Sequence, residues 1–373
     1  MSTTIGSSAP TVGDAGWTAW RRQARAAQNH GGGSLLGQAL GMLYYWARIG
    51  TRRREYYMYR LYDPRIPLAE KLAVLSTARW YGLVDRINPR RYHYLVDDKT
   101  AFATLLRQFK IPTPAVHDVL DTERRAFASG IAAGDARSLL THLRQFDDHG
   151  LVLKDEEGRQ GRHVYVIRAI DDDGVDLGDR RLSADALFEA LMTSRVSRYV
   201  VQERVMPHPA LRPLAGQTLP TIRIVTYRHE APSARVLRAS MRIPRHDTGV
   251  DNFSAGNLAA AVDIQDGTLG PAVERDGTWH SSHPVTGAAI EGVVLPQWGA
   301  VLTLVERAAS ALSRLPTVGW DVAITAEGPC LIEGNSRYNF NVIQLPQQSG
   351  LWRGDFQQWC ESTARRRANL RPW

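Results

Sequence analysis

The apolar positions divide the chain into two kinds of stretch. From residue 17 to about 88 they recur three and four apart with no alternating run, which predicts a helical region. Asn88-Pro89 closes it, because the residue before a proline is pushed out of the helical basin. Residues 1–15 are small and polar and read as a disordered tail, so the helical N-terminal region is placed at 16–95. Beyond Asp97-Asp98-Lys99 the period changes repeatedly. Phe102, Leu105, Leu106 and Phe109 mark an acid-headed helix of about three turns that stops before Ile111-Pro112-Thr113-Pro114. A short strand at 115–119, helical stretches at 123–132 and 136–146, and a compact apolar strand at 151–154 follow. A loop with Gly158 and Gly161 then leads to an alternating strand at 164–167, a helix at 183–195 and a buried strand at 199–205. Strands dominate thereafter, at 221–227, 234–242 and 256–262, and a long helix at 296–313 precedes final strands at 318–324 and 329–333. This mixture predicts an α+β protein of two lobes, 96–200 and 201–373, beside the helical region.

The longest apolar run, 35–46, contains two glycines and a glutamine and falls short of the roughly 20 residues a membrane span needs. Its Leu36, Leu40 and Leu43 are spaced to form the buried face of a helix. The bracketing Arg48 and Arg52, Arg53 and Arg54 supply the competing reading, a helix lying on a membrane surface. The 373 residues, 43% hydrophobic and 23% charged, suit a globular protein with a sizeable core and exclude disorder, collagen or coiled coil as the main architecture. Cys330 and Cys360 cannot build a disulfide framework, and the first residues lack a signal-peptide pattern, so a reducing, cytoplasmic setting is expected. The net charge of +8 favours acidic partners. Arginines are nevertheless spread along the whole chain, with no zinc-finger spacing or RNA-binding aromatic motif, and no nucleic-acid partner is expected. Only four of the 46 basic residues are lysine, so a lysine at a chemical position stands out.

The densest chemical signal lies near the C-terminus. Asp321 sits in an apolar strand, Glu333 ends the next one, and Asn335 follows two residues later. Three hard oxygen donors brought to one face suit Mg²⁺, whereas strand capping and turn formation would explain each residue singly. Arg223 and Arg242 lie on consecutive strands that, if antiparallel neighbours, point into one cleft. Asn252, Ser254 and Asn257 form a polar segment that either lines the acceptor side of the cleft or serves turn geometry. Arg337, Asn339 and Asn341 are candidates for holding a substrate carboxylate.

The order and spacing of several segments resemble the ATP-grasp superfamily, and most closely the sugar-transfer-associated ATP-grasp proteins. The segments are Glu55-Tyr56-Tyr57, Asp98-Lys99 with residues 111–114, Val201-Gln202-Glu203, residues 221–226, residues 251–257 and Leu331-Ile332-Glu333-Gly334-Asn335, so the resemblance covers about residues 50–350. It implies an ATP-grasp fold of two α+β lobes with ATP between them. Lys154 and Lys99 then look like the phosphate lysines, and Gln202, Glu203, Arg204 and Val205 like the hinge that meets the adenine. Loop 157–163 resembles the lid over the phosphates, with Arg159 and Arg162 in place of small residues. Arg223 and Arg242 match arginines that meet the γ-phosphate and an acyl phosphate. The implied activity is an ATP- and Mg²⁺-dependent carboxylate–amine ligase, acting on small-molecule carboxylate and amine substrates through an acyl phosphate, and a link to polysaccharide or secondary metabolite synthesis. A kinase on the same scaffold, or a non-catalytic basic protein that binds a polyanion or a membrane surface, are the rival readings.

Overall fold

A computed structural model describes residues 17–158, 163–228, 234–247, 249, 251, 253 and 256–368. Helices Trp17–Gln28, Leu35–Ile49, Arg53–Met58, Leu68–Leu72 and Thr77–Ile87 make up the N-terminal region, as the periodicity predicts. Their ends follow local chemistry. Ser34 and Ser76 accept from the backbone N–H groups of Gly37 and Arg79, and Gly50 closes the Leu35–Ile49 helix in the left-handed conformation.

The Leu35–Ile49 helix turns the opposite face inward from the one its leucines suggest. Gln38, Tyr45 and Ile49 are buried, while Leu36, Leu40, Leu43 and Trp46 are 59–70% exposed. Hydrogen bonding explains the inversion. The Gln38 amide donates to Ala24 O at 3.0 Å and Gly33 O at 3.1 Å and accepts from Tyr57 Oη at 3.0 Å, so the polar residue is satisfied inside.

Three antiparallel sheets follow, of which the smallest, Ala169–Ile170, Gly174–Asp176 and Arg181–Ser183, takes no part in the site. Of the other two, the small sheet runs in the order Ala126–Phe127, Val116–Asp121, Arg198–Glu203, Leu151–Asp155, Val164–Ile167. The large one runs Trp279–His280, Leu269–Val273, Leu258–Val262, Arg235–Ile243, Thr221–Tyr227, Thr317–Ile324, Pro329–Asn335. The expected helix at 123–132 is instead a tight hairpin, because Asp121 accepts from the N–H groups of Glu123 and Arg124 while Arg125 and Gly130 take positive φ. The Arg198–Glu203 strand belongs inside the small sheet, so that lobe extends past residue 200.

Packing redistributes the sequence among the cores. The Lys99–Gln108 helix lies within the expected first lobe by position, yet Phe102 and Leu106 are buried with Ile222, Trp320 and Leu331 of the large sheet. The Thr77–Ile87 helix shares a second core with the C-terminal residues: Trp80, Leu83 and Val84 pack with Phe340, Ile343, Phe356 and Trp359. The Trp80 indole N–H donates to Tyr338 O at 2.8 Å, and Asn88 Nδ2 donates to Thr317 O and Ser336 O at 2.8 and 2.7 Å. The helical region and the large sheet thus form one base, with the small sheet beside it. Cys330 and Cys360 are both free thiols.

Candidate active site

A cavity of about 460 Å³ opens between the small and the large sheet, and residues from both line it. Lys154, on the Leu151–Asp155 strand, comes from the small sheet. Burial pushes its ammonium down to about 8, against the opposing pull of Glu333. Lys99 opens the Lys99–Gln108 helix, which Asp98 caps by accepting from Ala101 N–H at 2.8 Å. The Lys99 Nζ donates to Gly158 O at 2.8 Å and stands 3.5 Å from Glu333 Oε1, so one lysine ties the base to the loop that follows a small-sheet strand.

The opposite wall is the large sheet. Asp321 pairs in register with Arg223 on one side and with Glu333 on the other, which places the three side chains on one face. Arg242 lies opposite Thr221, two residues along the neighbouring strand from Arg223. Arg223 grips Asp321 with both ends of its guanidinium, Nε to Oδ1 at 2.5 Å and Nη2 to Oδ2 at 3.0 Å. Arg242 Nη2 reaches the same Oδ2 at 3.0 Å, while its Nε donates to Thr221 Oγ1 at 2.9 Å and lies 3.4 Å from Asp251. Burial alone would lower the Arg242 guanidinium, but the charges of Asp251, Asp321 and Glu333 outweigh it and raise its pKa. Burial likewise opposes the charge of Asp321, and Arg223 and Arg242 prevail and hold it below the usual carboxylate range.

Asp321, Glu333 and Asn335 line the cavity together. Among the described residues no group of three or more His, Cys, Asp or Glu side chains gathers as a metal cluster, so the set depends on the Asn335 amide for its third donor. Two carboxylates and an amide oxygen are the donor types Mg²⁺ takes beside phosphate oxygens. Here the Asp321 oxygens are engaged by Arg223 and Arg242 and Glu333 stands beside Lys99, so holding the ion requires Asp321 to share its oxygens with the arginines.

The residues expected to form the hinge, Gln202, Glu203, Arg204 and Val205, also line the cavity. Gln202 is buried and donates to Pro114 O, Glu203 accepts from Ala115 N–H at 3.0 Å, and Arg204 donates to Gln217 Oε1 at 3.1 Å. Val205 is half-buried beside them.

The acceptor-side candidates divide. Arg337 and Asn339 line the cavity. Arg337 is held by Asp85, Nε to Oδ1 at 2.9 Å, with its guanidinium carbon 4.2 Å from the centre of the Tyr81 ring, and Asn339 accepts from Asn341 N–H at 2.7 Å. Asn257 stands outside the lining: its side-chain oxygen accepts from Arg245 N–H at 2.9 Å, a loop-bracing bond. Asn252, Ser254, Arg159 and Arg162, and with them most of the expected lid, lie outside the described residues.

The sequence did not single out Thr221 and Asp251. Thr221 N–H donates to Asp251 Oδ2 at 2.8 Å, and its hydroxyl bridges the same carboxylate and Arg242. The resemblance segments 221–226 and 251–257 contain both residues, but only the register of the strands shows that they meet.

The sugar-transfer associated ATP-grasp family model matches residues 79–358. Among curated proteins none matches. The chain is similar to several solved structures. One is an N5-carboxyaminoimidazole ribonucleotide synthetase in complex with ADP, 12% identical over 68% of this chain and 50% of that one, TM-score 0.38. Another is an L-amino acid ligase from Bacillus licheniformis, 15% identical over 68% and 43%, TM-score 0.39. A third is a D-alanine–D-alanine ligase from Bacillus anthracis, 14% identical over 74% and 69%, TM-score 0.41. The chain thus spans about half the length of the first and less than half of the second. A match over three quarters of the residues, covering both sheets and the cavity between them, makes this chain a member of the sugar-transfer associated ATP-grasp family.

Proposed function

We propose that the protein is an ATP- and Mg²⁺-dependent ligase that joins a small carboxylate to an amine through an acyl phosphate. Members of its superfamily are mostly ATP-dependent carboxylate–amine ligases. The observation that carries the reading is the convergence on one cavity of two of the chain's four lysines, the Arg223–Asp321–Arg242 cluster and the Asp321, Glu333, Asn335 oxygen donors.

Each group has a definable task. Lys154 and Lys99 present compact ammonium charges to the nucleotide phosphates, with three donors apiece. Residues 202–205 bound the adenine end. Arg223 and Arg242 face the point where charge builds on the phosphoryl group as the substrate carboxylate oxygen attacks the γ-phosphorus and ADP leaves. The amine nitrogen then attacks the acyl carbon, phosphate departs and the nitrogen gives up a proton. Asp321, Glu333 and Asn335 would hold Mg²⁺, which supplies charge neutralisation between phosphate oxygens. No side-chain nucleophile is required, so the protein's contribution is positioning and electrostatics.

The test is a screen of amino acids and other small carboxylates for ADP release, with the product mass recorded and Lys154→Ala as the blank. A ligase releases ADP only when carboxylate and amine are both present, and the product contains both. ADP release with a hydroxyl acceptor alone, giving a phosphorylated product, would replace this reading with a kinase. Full function in Asp321→Ala and Glu333→Ala, with no binding of Mg-ATP, would remove both enzyme readings.

A further inference from the structure

The Leu35–Ile49 helix carries a surface that the nucleotide cavity does not use. Leu36 (70% exposed), Leu40 and Leu43 (59% each) and Trp46 (61%) fall within one arc of the helix, with Tyr44 at its edge. The inward side is occupied by Gln38, Tyr45 and Ile49, so rotation about the helix axis cannot bury the leucines without exposing a satisfied polar core. A contiguous apolar patch of this kind on a soluble fold marks an interaction surface.

Charge indicates the occupant. From residue 15 to residue 54 the chain has no Asp or Glu and seven arginines: Arg21, Arg22, Arg25, Arg48, Arg52, Arg53 and Arg54. Arg25 lies on the helix that packs against the inward, Gln38 side of this one, and Arg48, Arg52 and Arg54 lie at or just beyond its C-terminal end; all four are exposed. Apolar side chains flanked by exposed arginines, with a tryptophan and a tyrosine among them, are the composition of a helix that lies in the plane of a bilayer interface. Among the described residues no helix is long and apolar enough to cross a membrane, so the contact is peripheral.

We propose that the exposed face of the Leu35–Ile49 helix docks the protein on an anionic lipid surface, its leucines and Trp46 entering the headgroup boundary and the neighbouring arginines meeting lipid phosphates. None of the residues of the patch lines the cavity. The proposal is independent of which reaction the cavity catalyses.

The experiment is sedimentation of the full chain with vesicles of phosphatidylcholine alone and of phosphatidylcholine containing about 30% phosphatidylglycerol. The protein pellets with the anionic vesicles and much less with the neutral ones, and added salt weakens the binding. The double variant Leu40→Asp, Leu43→Asp, altered only at exposed positions, loses binding by about tenfold or more while its circular dichroism and melting temperature stay those of the wild type. Arg48→Glu with Arg52→Glu, which leaves the apolar face intact, also releases the protein, and keeps the test decisive should the leucine variant fold poorly. Three results would overturn the proposal: wild-type protein that stays in the supernatant with anionic vesicles, well-folded variants that pellet as wild type does, or a solution dimer that Leu40→Asp, Leu43→Asp splits while vesicles go unbound.

Discussion

The two walls of the cavity present positive charge in opposite ways. On the small-sheet side Lys154 is desolvated, and burial draws its pKa down to about 8. On the large-sheet side Arg223 and Arg242 are equally deep in the structure but are paired to Asp321, with Asp251 and Thr221 behind them. One wall holds a charge that an anionic ligand would stabilise, while the other is balanced within the protein before any ligand arrives. On the proposed reading a phosphate group would gain most from the lysine wall, and the arginine wall would set where that phosphate sits. The difference also follows from chemistry: a guanidinium stays charged when buried with carboxylates, whereas an ammonium titrates.

The largest effect that would break this contrast comes from Asp321. Asp321→Ala leaves two buried guanidinium groups without their shared carboxylate and should lower unfolding stability by about 3–5 kcal/mol in denaturant titration. An unchanged unfolding midpoint would show that the arginine wall is not internally balanced. Lys154→Ala should do the reverse: folding stability is retained while affinity for Mg-ATP, read by titration calorimetry, falls by about 100-fold, in the range for truncating one side of a buried charge pair. Next comes pH. Protonated Lys154 favours an anionic ligand, and above about 8 the free protein must take up a proton to bind. Affinity should then decline as pH rises through that value, by up to about tenfold per unit. Lys154→Arg, which stays charged, flattens the step; a wild-type profile with no step there would remove Lys154 from the binding site. The smallest effect is at the acceptor end. Asp85→Ala frees Arg337 from its half-exposed ion pair and should change stability by less than about 1 kcal/mol while raising KM for the carboxylate a few-fold with kcat unchanged.

The strands of Lys154 and Arg223 were legible because each is a short apolar run with a basic residue out of pattern. Family resemblance then assigned roles that spacing could not. What the sequence obscured was everything decided by long-range register or by polar satisfaction. Nothing local in Thr221 and Asp251 announces their meeting across 30 residues. The leucines of the 35–49 helix obey the helical period, yet the hydrogen-bonding needs of Gln38 set which face turns inward. The 123–132 stretch has helical composition, but Asp121 and Gly130 impose a hairpin that a period count does not register. Arg337 was legible as a cation near the site and illegible as a partner of Asp85, 252 residues earlier.

The path of the chain into and out of the small sheet has one more consequence. Entry at Pro114-Ala115 and exit at Gln202-Glu203 run side by side, joined by Glu203 N–H to Ala115 O at 2.9 Å, and Leu331 N–H donates to Pro112 O at the edge of the large sheet. Residues 116–202 are in effect an insertion into a base whose own core is assembled from segments before and after it. Its two connections form a single narrow neck, which Lys99 to Gly158 O and Arg168 to Asp247 brace from the base, and a short linker in place of the insertion should leave a base that still folds and no longer binds Mg-ATP.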